Sequence, residues 1–401
     1  MSVEMTREEI FEEIRQARER RKTPNLSKKT LRSIDLSGEN LLGVNLHGST
    51  LDGCNLKDVN LQGANLQDAS LRNVDLSQAE LQSSDLRGAN LAGANLQGAN
   101  LHKSNLQKAN LQGANFQDAN LEHVGFQKAI LTDVFLQGTN LKWTNFEDQD
   151  VRGLDLSSAQ LQGINLNGAN LAAANLAGFD LSDATLRGAN LENAMLQGAN
   201  LERVNLTKAG SFLGSRVTSL AGADFTGANL AESKLNETDL QLVKLAGAIL
   251  RGANLQESNL RGADLQGADL LKANLEAADL GEANLEKADL QGANLVGVIL
   301  KAANLTGANL RQARLEGSVL QVAELQDANL AGTDLRSVDL QGADPRATNL
   351  QGADLQGALL QDASLQDADV RGTCFKDVTY NGQTQWPLGF AAELVHTIKS
   401  I

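Results

Sequence analysis

Four histidines and two cysteines are the side chains of this 401-residue sequence best suited to zinc or nucleophilic chemistry. Their spacing serves neither. A structural zinc site draws four ligands from closely spaced pairs, whereas Cys54 and Cys374 stand near opposite ends of the chain and the histidines are scattered. The two thiols are therefore not expected to pair within one molecule. His102, Glu122 and His123 are separated by about the length of one structural repeat and could approach on neighbouring layers, where solvated surface residues explain them equally well. Glu147, Asp148 and Asp150 flank Gln149 and offer the oxygen ligands a divalent cation accepts. A strained, solvated corner accounts for the same residues. Glycines recur at turns, so GxxG matches are turn chemistry and not a phosphate loop. The sequence assigns no catalytic, metal-binding or cofactor-binding residue, implies no cofactor, and predicts no concave pocket in which perturbed groups would converge. It reads as a non-enzyme.

The elements that carry these residues follow from an unusual composition. Hydrophobic residues make up 42% and aromatics only 3%, with 37 Gly, 3 Pro, and 35 basic against 49 acidic side chains, a net charge of −14. A disordered acidic chain would have fewer apolar residues, and a collagen far more Gly and Pro. A disulfide framework would need more cysteine. The sequence shows no run of about 18 apolar residues for a membrane span, and no apolar signal segment at the start. A cytoplasmic location is the expectation.

Leu replaces the aromatics in the core. From Leu26 to Leu206 every fifth residue is Leu except Phe116, Phe126, Phe146 and Val151, and from Leu220 to Tyr380 the spacing returns. The two blocks provide 37 and 33 such positions, of which 33 and 28 are Leu. Two residues before each comes a small residue, most often Ala, and between them Asn or Asp. Side chains two apart share one face of an extended backbone, so the small residue and Leu point inward and the Asx outward. The two remaining residues, often Gln-Gly as in Gln62-Gly63, Gln97-Gly98 and Gln266-Gly267, must turn, and Gly supplies the positive φ of a type II turn. A period of five leaves no stripe on an α-helix of 3.6 residues per turn. A coil stacked at about 4.8 Å per layer satisfies the pattern.

Ala89-Asn90-Leu91, Ala94-Asn95-Leu96-Gln97-Gly98 and Ala263-Asp264-Leu265-Gln266-Gly267 resemble the A-(N/D)-L-x-x consensus of the pentapeptide repeat family, over roughly residues 26 to 380. The resemblance implies an all-β fold, a right-handed quadrilateral β-helix or solenoid with 20 residues per coil and short helical caps. About 17 coils would give a rod of roughly 80 Å. Pro345 occupies a Leu position and should disturb strand pairing there. The expected organisation is an N-terminal capping helix at 1–24, a first repeat block at 25–206, a register break or loop at 207–219, a second block at 220–380 and a C-terminal cap at 381–401. Thr6-Arg7-Glu8-Glu9 reads as a capping box with Ile10, Phe11, Ile14 and Ala17 on one face. Phe212, Leu213, Arg216 and Val217 lie in the break. At the C-terminus Trp386 to Phe390 reads as a loop, followed by a short helix with Leu394, Val395 and Ile398 inward. The Tyr380 to Phe390 segment resembles the endings of cyanobacterial members of the family.

Two places depart from the pattern in ways that suggest recognition. Ile130, Phe135 and Trp143 take outward positions on the coil from Val124 to Thr144, with His123 expected to stack on Trp143 and Phe126 on Phe146 inside. In the second block Leu242, Ile299, Val319, Val322 and Leu359 fall on one side. Clustered exposed apolar residues mark interfaces. Unidentified protein partners are the expected ligands, a second copy of the chain among them, with no membrane insertion and no direct nucleic-acid binding because basic tracts are lacking.

The family also implies an alternative, since it includes proteins that protect DNA gyrase by imitating duplex DNA. Residues 220–380 carry 23 acids and 13 bases, a net of −10. Duplex DNA of the corresponding length, about 38 Å, would present about 22 charges. The magnitudes favour a rod-like scaffold for protein-protein interaction over DNA mimicry.

Overall fold

The computed structural model describes residues 4–209, 217–390 and 399–400. It consists of two compact units, Met1–Leu171 and Ala172–Ile401. The chain is mostly non-helical: among the described residues there is one helix, α1 (Arg7–Glu19), and one two-stranded pair, β1 (Thr379–Tyr380) with β2 (Lys399–Ser400). The rest is a ladder of single-residue parallel bridges.

In the first unit these bridges join residues 20 apart, beginning with Asn25 to Asn45, while a turn follows every fifth residue. Each coil therefore has four turns. Leu46 shows the local logic: its amide donates to the carbonyl of Asn65 at 2.7 Å, Gly48 donates to Gln67 at 2.8 Å, and Asn65 donates to Val44 at 3.0 Å. The Leu side chains are buried, Leu156 excepted, as are the Ala, Val, Ser and Thr two residues before them. Each fully buried Leu contributes about 1.5–3 kcal/mol before conformational entropy is subtracted. Ser and Thr are small enough for this position, and several hydroxyls there find backbone carbonyls, Ser49 donating to Leu46 at 2.6 Å and Thr144 to Leu121 at 2.8 Å.

The outward Asx residues do more than face solvent. Their Oδ1 accepts the amide two residues on, as Asn60 does from Gln62 at 3.0 Å, which fixes the turn. Asn also donates its Nδ2 to the residue one coil earlier: Asn120 to Asn100 and Asn140 to Asn120, both at 3.1 Å. Asp cannot donate, and it is capped by Asn above it, as Asn95 caps Asp75 at 3.1 Å. The second turn residue has φ near +60°, and Lys, Asp, Asn and Ser adopt it as well as Gly. Gly was the residue expected there; the stitching on both sides of the turn holds the others in the left-handed region.

Helix α1 begins at a capping box, Thr6 accepting from the Glu9 amide at 3.3 Å and its own amide donating to Glu9 Oε2 at 2.8 Å. Ile10 and Ile14 are buried, and Arg18 donates to the Asn40 carbonyl at 2.6 Å, which fastens the helix to the first coils. Inside the unit Phe126 stacks on Phe146 with centroids 4.8 Å apart.

The second unit follows the same rules. Between Asn190 and Ser219 the bridge step lengthens from 20 to 29 residues, and the ladder continues beyond it through Met195–Asp224, Asn200–Asn229 and Asn205–Lys234. Phe212, Leu213 and Arg216 lie outside the described residues; Val217 is exposed. Thr218 closes the base of the inserted stretch by accepting from the Gly188 amide at 2.9 Å. Pro345 is buried in its Leu position; lacking an N–H it makes no bond to the next coil, while Ser364 still donates to Ala343 at 3.1 Å. The last coil carries a cluster of Phe375, Tyr380, Trp386 and Phe390, with Trp386 stacked on Phe390 at 4.9 Å. Leu394, Val395 and Ile398 lie outside the described residues.

Candidate protein-interaction surface

The outward residues of the coil around 124–144 form two groups. His123 stacks on Trp143 with centroids 6.5 Å apart and planes 16° off parallel, and His102 meets His123 edge-on at 5.7 Å. Trp143 in turn lies flat on Gly163, where an added Cβ would stand 2.3 Å from the indole. This ring column is exposed on one corner, Trp143 at 46%. Among the described residues no ring contact joins it to Phe135, so the four residues read from the sequence as one patch separate into a column and a second group.

The second group borders an opening in the ladder. Ile130 and Phe135 pair backward to Asn110 and Asn115, but neither pairs forward: among the described residues no bridge joins Ile130 to Asp150 or Phe135 to Asp155. Six inter-coil bonds that the repeat would make between residues 128–136 and 147–155 are missing. The result is a slot of about 500 Å³ bordered by Ile130, Thr132 and Asp133 on one lip and Gln149, Asp150 and Arg152 on the other. The sequence predicts no concave pocket of converging perturbed groups; this corner nonetheless opens into a slot, beside two unusual side chains. Gln149 and Leu154 occupy positions that most repeats fill with Ala or another small residue, and larger side chains at a close-packed position are costly to fit. Ile34 and Phe179 stand at the same position with their carbonyls still bonded to the next coil, so the opening goes with these two together with Ile130 and Phe135. Ile130 and Phe135 add to this, because neither can make the Asx bond that secures the following turn. Phe135 is 54% exposed and Leu156, in a core position, is only half-buried.

In the second unit the apolar side is a continuous bridge column, Asp279–Ile299–Val319–Asp339–Leu359–Thr379. Ile299 and Val319 are consecutive rungs; Leu359 is separated from them by Asp339. Ile299 is 39% exposed, while Val319 and Leu359 are half-buried. Leu242 and Val322 stand at turn positions with φ of 58° and 50°, a costly conformation for a branched side chain in water. Leu242 is 68% exposed and lies against Gly262, with Cδ2 2.8 Å from where a Cβ would be. Met195 and Leu42 are also exposed and were not singled out from the sequence. Met195 was detectable, since it fills an Asx position.

Part of the acidic surface is internally compensated. Asp85, Asp150, Asp334, Asp344 and Asp369 each take a forked pair of bonds from the Arg two residues on, with Arg336 reaching Asp334 at 2.7 and 2.8 Å. Those guanidinium bonds hold the five carboxyls below their ordinary range.

Among the described residues no group of three or more His, Cys, Asp and Glu could hold a metal ion, and no helix is long and apolar enough to cross a membrane. Glu122 approaches His123 at 3.8 Å, and Glu147, Asp148 and Asp150 do not converge on one point with other ligands. Cys54 is buried and donates to the Leu31 carbonyl, and desolvation pushes its thiol up; Cys374 is exposed.

Comparison with known proteins agrees with the repeat chemistry. A family model for pentapeptide repeats matches eight times, at residues 40–78, 79–118, 169–210, 218–247, 238–276, 269–307, 303–342 and 346–378, and one for a pentapeptide repeat region matches residues 99–176. A search of the curated proteins finds no match. Among solved structures, HetL, a pentapeptide repeat protein involved in heterocyst differentiation regulation from the cyanobacterium Nostoc sp. strain PCC 7120, is 31% identical over 55% of this chain and 89% of its own, with a TM-score of 0.24. Rfr23 from the cyanobacterium Cyanothece 51142 is 27% identical over 31% of this chain and 97% of its own, with a TM-score of 0.28. Full-length QnrB1, a plasmid-mediated fluoroquinolone resistance protein, is 16% identical over 68% of this chain and 93% of its own, with a TM-score of 0.25. With its Leu, small and Asx positions filled through both units and its family matches covering well over half of the sequence, this chain belongs to the pentapeptide repeat family.

Proposed function

We propose that the protein is a non-enzymatic scaffold that docks protein partners on apolar residues set into otherwise polar coil faces, within a right-handed, four-sided β-helix. The observation that carries this reading is the Ile299–Val319 pair. Each occupies a position where Asx would close the turn and bond to the neighbouring coil, so each gives up stabilising bonds and meets water instead. Leu242 and Val322 add exposed branched side chains on strained backbone beside the same column. Apolar groups in such places suit a docking surface, whose core is depleted of charge. A cytoplasmic location fits the reading.

The test is a partner capture made with the full chain and with the Ile299→Lys, Val319→Lys double variant. Proteins cross-linked to the former and released by the latter, at unchanged unfolding midpoint, support the scaffold. An identical set from both removes the stripe from consideration. Sedimentation of the same two proteins decides whether the partner is a second copy. The DNA-mimic alternative is favoured less, because Asp–Arg forks neutralise carboxylates that a phosphate track would leave free. Salt-sensitive inhibition of gyrase supercoiling by the purified protein would reinstate it.

A further inference from the structure

The opened corner of the first unit has three properties that together specify a ligand. The amides of Leu131, Asp133, Leu136 and Asp150, and the carbonyls of Ala129 and Val134, have no hydrogen-bond partner among the described residues. Leu131, Leu136, Ala129 and Val134 are buried and Asp133 and Asp150 exposed, and a row of unpaired backbone groups of this kind is met most completely by another backbone. The slot holds about 500 Å³, within the range of about 300–1,000 Å³ typical of ligand clefts, and Ile130 stands half exposed on its lip. Across the two bordering segments, residues 128–136 and 147–155, five acids face two bases, a net of −3, and the one arginine there is engaged by Asp150.

We propose that this slot binds an extended segment of a partner protein in which a bulky apolar side chain is flanked by lysine or arginine. The segment's backbone would bond to the unpaired lips, its apolar side chain would pack on Ile130, and its cations would meet the carboxylates around the opening. The inference rests on the scaffold reading only in taking a protein as the ligand. It concerns a site in the other unit from the Ile299–Val319 stripe, so either can fail alone.

The test uses the full-length protein and a fluorescein-labelled peptide, acetyl-Gly-Lys-Val-Phe-Val-Lys-Gly-amide, read by anisotropy. Saturable binding is expected, weakened about tenfold or more when both valines are N-methylated or both lysines are replaced by glutamate. The Gln149→Ala, Leu154→Ala double variant restores small residues and closes the ladder, and is expected to lose binding to the same degree. Ile130→Asp should lose it through the lip alone, and Ile299→Lys, Val319→Lys should bind as the parent does. The proposal is overturned if the unmodified peptide fails to saturate up to about 1 mM, or if the N-methylated peptide binds as tightly as the unmodified one. Undiminished binding by the ladder-closing variant overturns it too, as does a slot that proves to be occupied by a second copy of the chain.

Discussion

Replacing Asn120 examines the outward columns, the part of the fold that Leu periodicity does not explain. This half-buried side chain makes three bonds: it donates to Asn100 at 3.1 Å, accepts from Asn140 at 3.1 Å, and accepts from the Glu122 amide at 3.2 Å. At about 0.5–1.5 kcal/mol each, their removal in Asn120→Ala costs about 1.5–4.5 kcal/mol. Solvent access, and the second acceptor that Asn140 has in Glu122 Oε2 at 3.2 Å, place the expected loss in the lower half, about 1.5–3 kcal/mol. Asn120→Asp keeps both acceptor roles, loses the donation, and sets a carboxylate oxygen against Asn100; about 1 kcal/mol is expected. The assay is urea unfolding of the full chain in a Trp386→Phe background, which leaves Trp143 as the single tryptophan and reports on the first unit. The predicted order of midpoints is parent, then Asp, then Ala. A loss below about 0.5 kcal/mol for Ala, or an Asp variant weaker than Ala, would refute the column as a source of stability.

Other outcomes follow from the same geometry. Val322→Gly relieves a β-branched residue at φ 50° and should raise stability of the second unit by about 1 kcal/mol in thermal unfolding; a decrease would mean that its side chain packs on something. The five forked aspartates have folded pKa values below their unfolded ones. Their contribution is present above the unfolded value, about 3.9, and is lost as pH falls through the lowered folded values. Urea midpoints should therefore drop below about pH 4, less steeply in an Asp334→Asn, Asp344→Asn variant; equal slopes would contradict the assignment. Cys374 should react with a maleimide in the native protein and Cys54 only after denaturation, a difference that peptide mapping by mass spectrometry reads directly.

The core was legible because one residue type, Leu, recurs at one spacing, and because Ala, Ser and Thr are all small enough for the position two before it. The stacked Phe126 and Phe146 and the paired His123 and Trp143 were legible for the same reason, as partners 20 residues apart. Less visible was the second role of Asx. Its donor direction is a property of two residues on different coils, which no single repeat displays. The left-handed turn residues were read as a glycine requirement, yet Asp68, Lys103 and Val322 adopt the same φ because bonds on either side leave no other path. The slot was half visible. Gln149 was singled out only among its acidic neighbours, whereas the ladder is open where it coincides with Leu154 one side further on and with Ile130 and Phe135 on the coil before, a combination that no single repeat contains.

Amide hydrogen exchange across the first unit tests most directly whether 20-residue stitching, released at one corner, describes this molecule. The amides of Leu111, Phe116 and Leu121 are bonded to the coil of Ile130, Phe135 and Asn140 and should be strongly protected, while those of Leu131, Asp133 and Leu136 exchange rapidly. In the Gln149→Ala, Leu154→Ala variant the second set should become protected like the first. Uniform protection in the parent protein would contradict the open ladder, and rapid exchange of both sets would contradict the stitched coil itself.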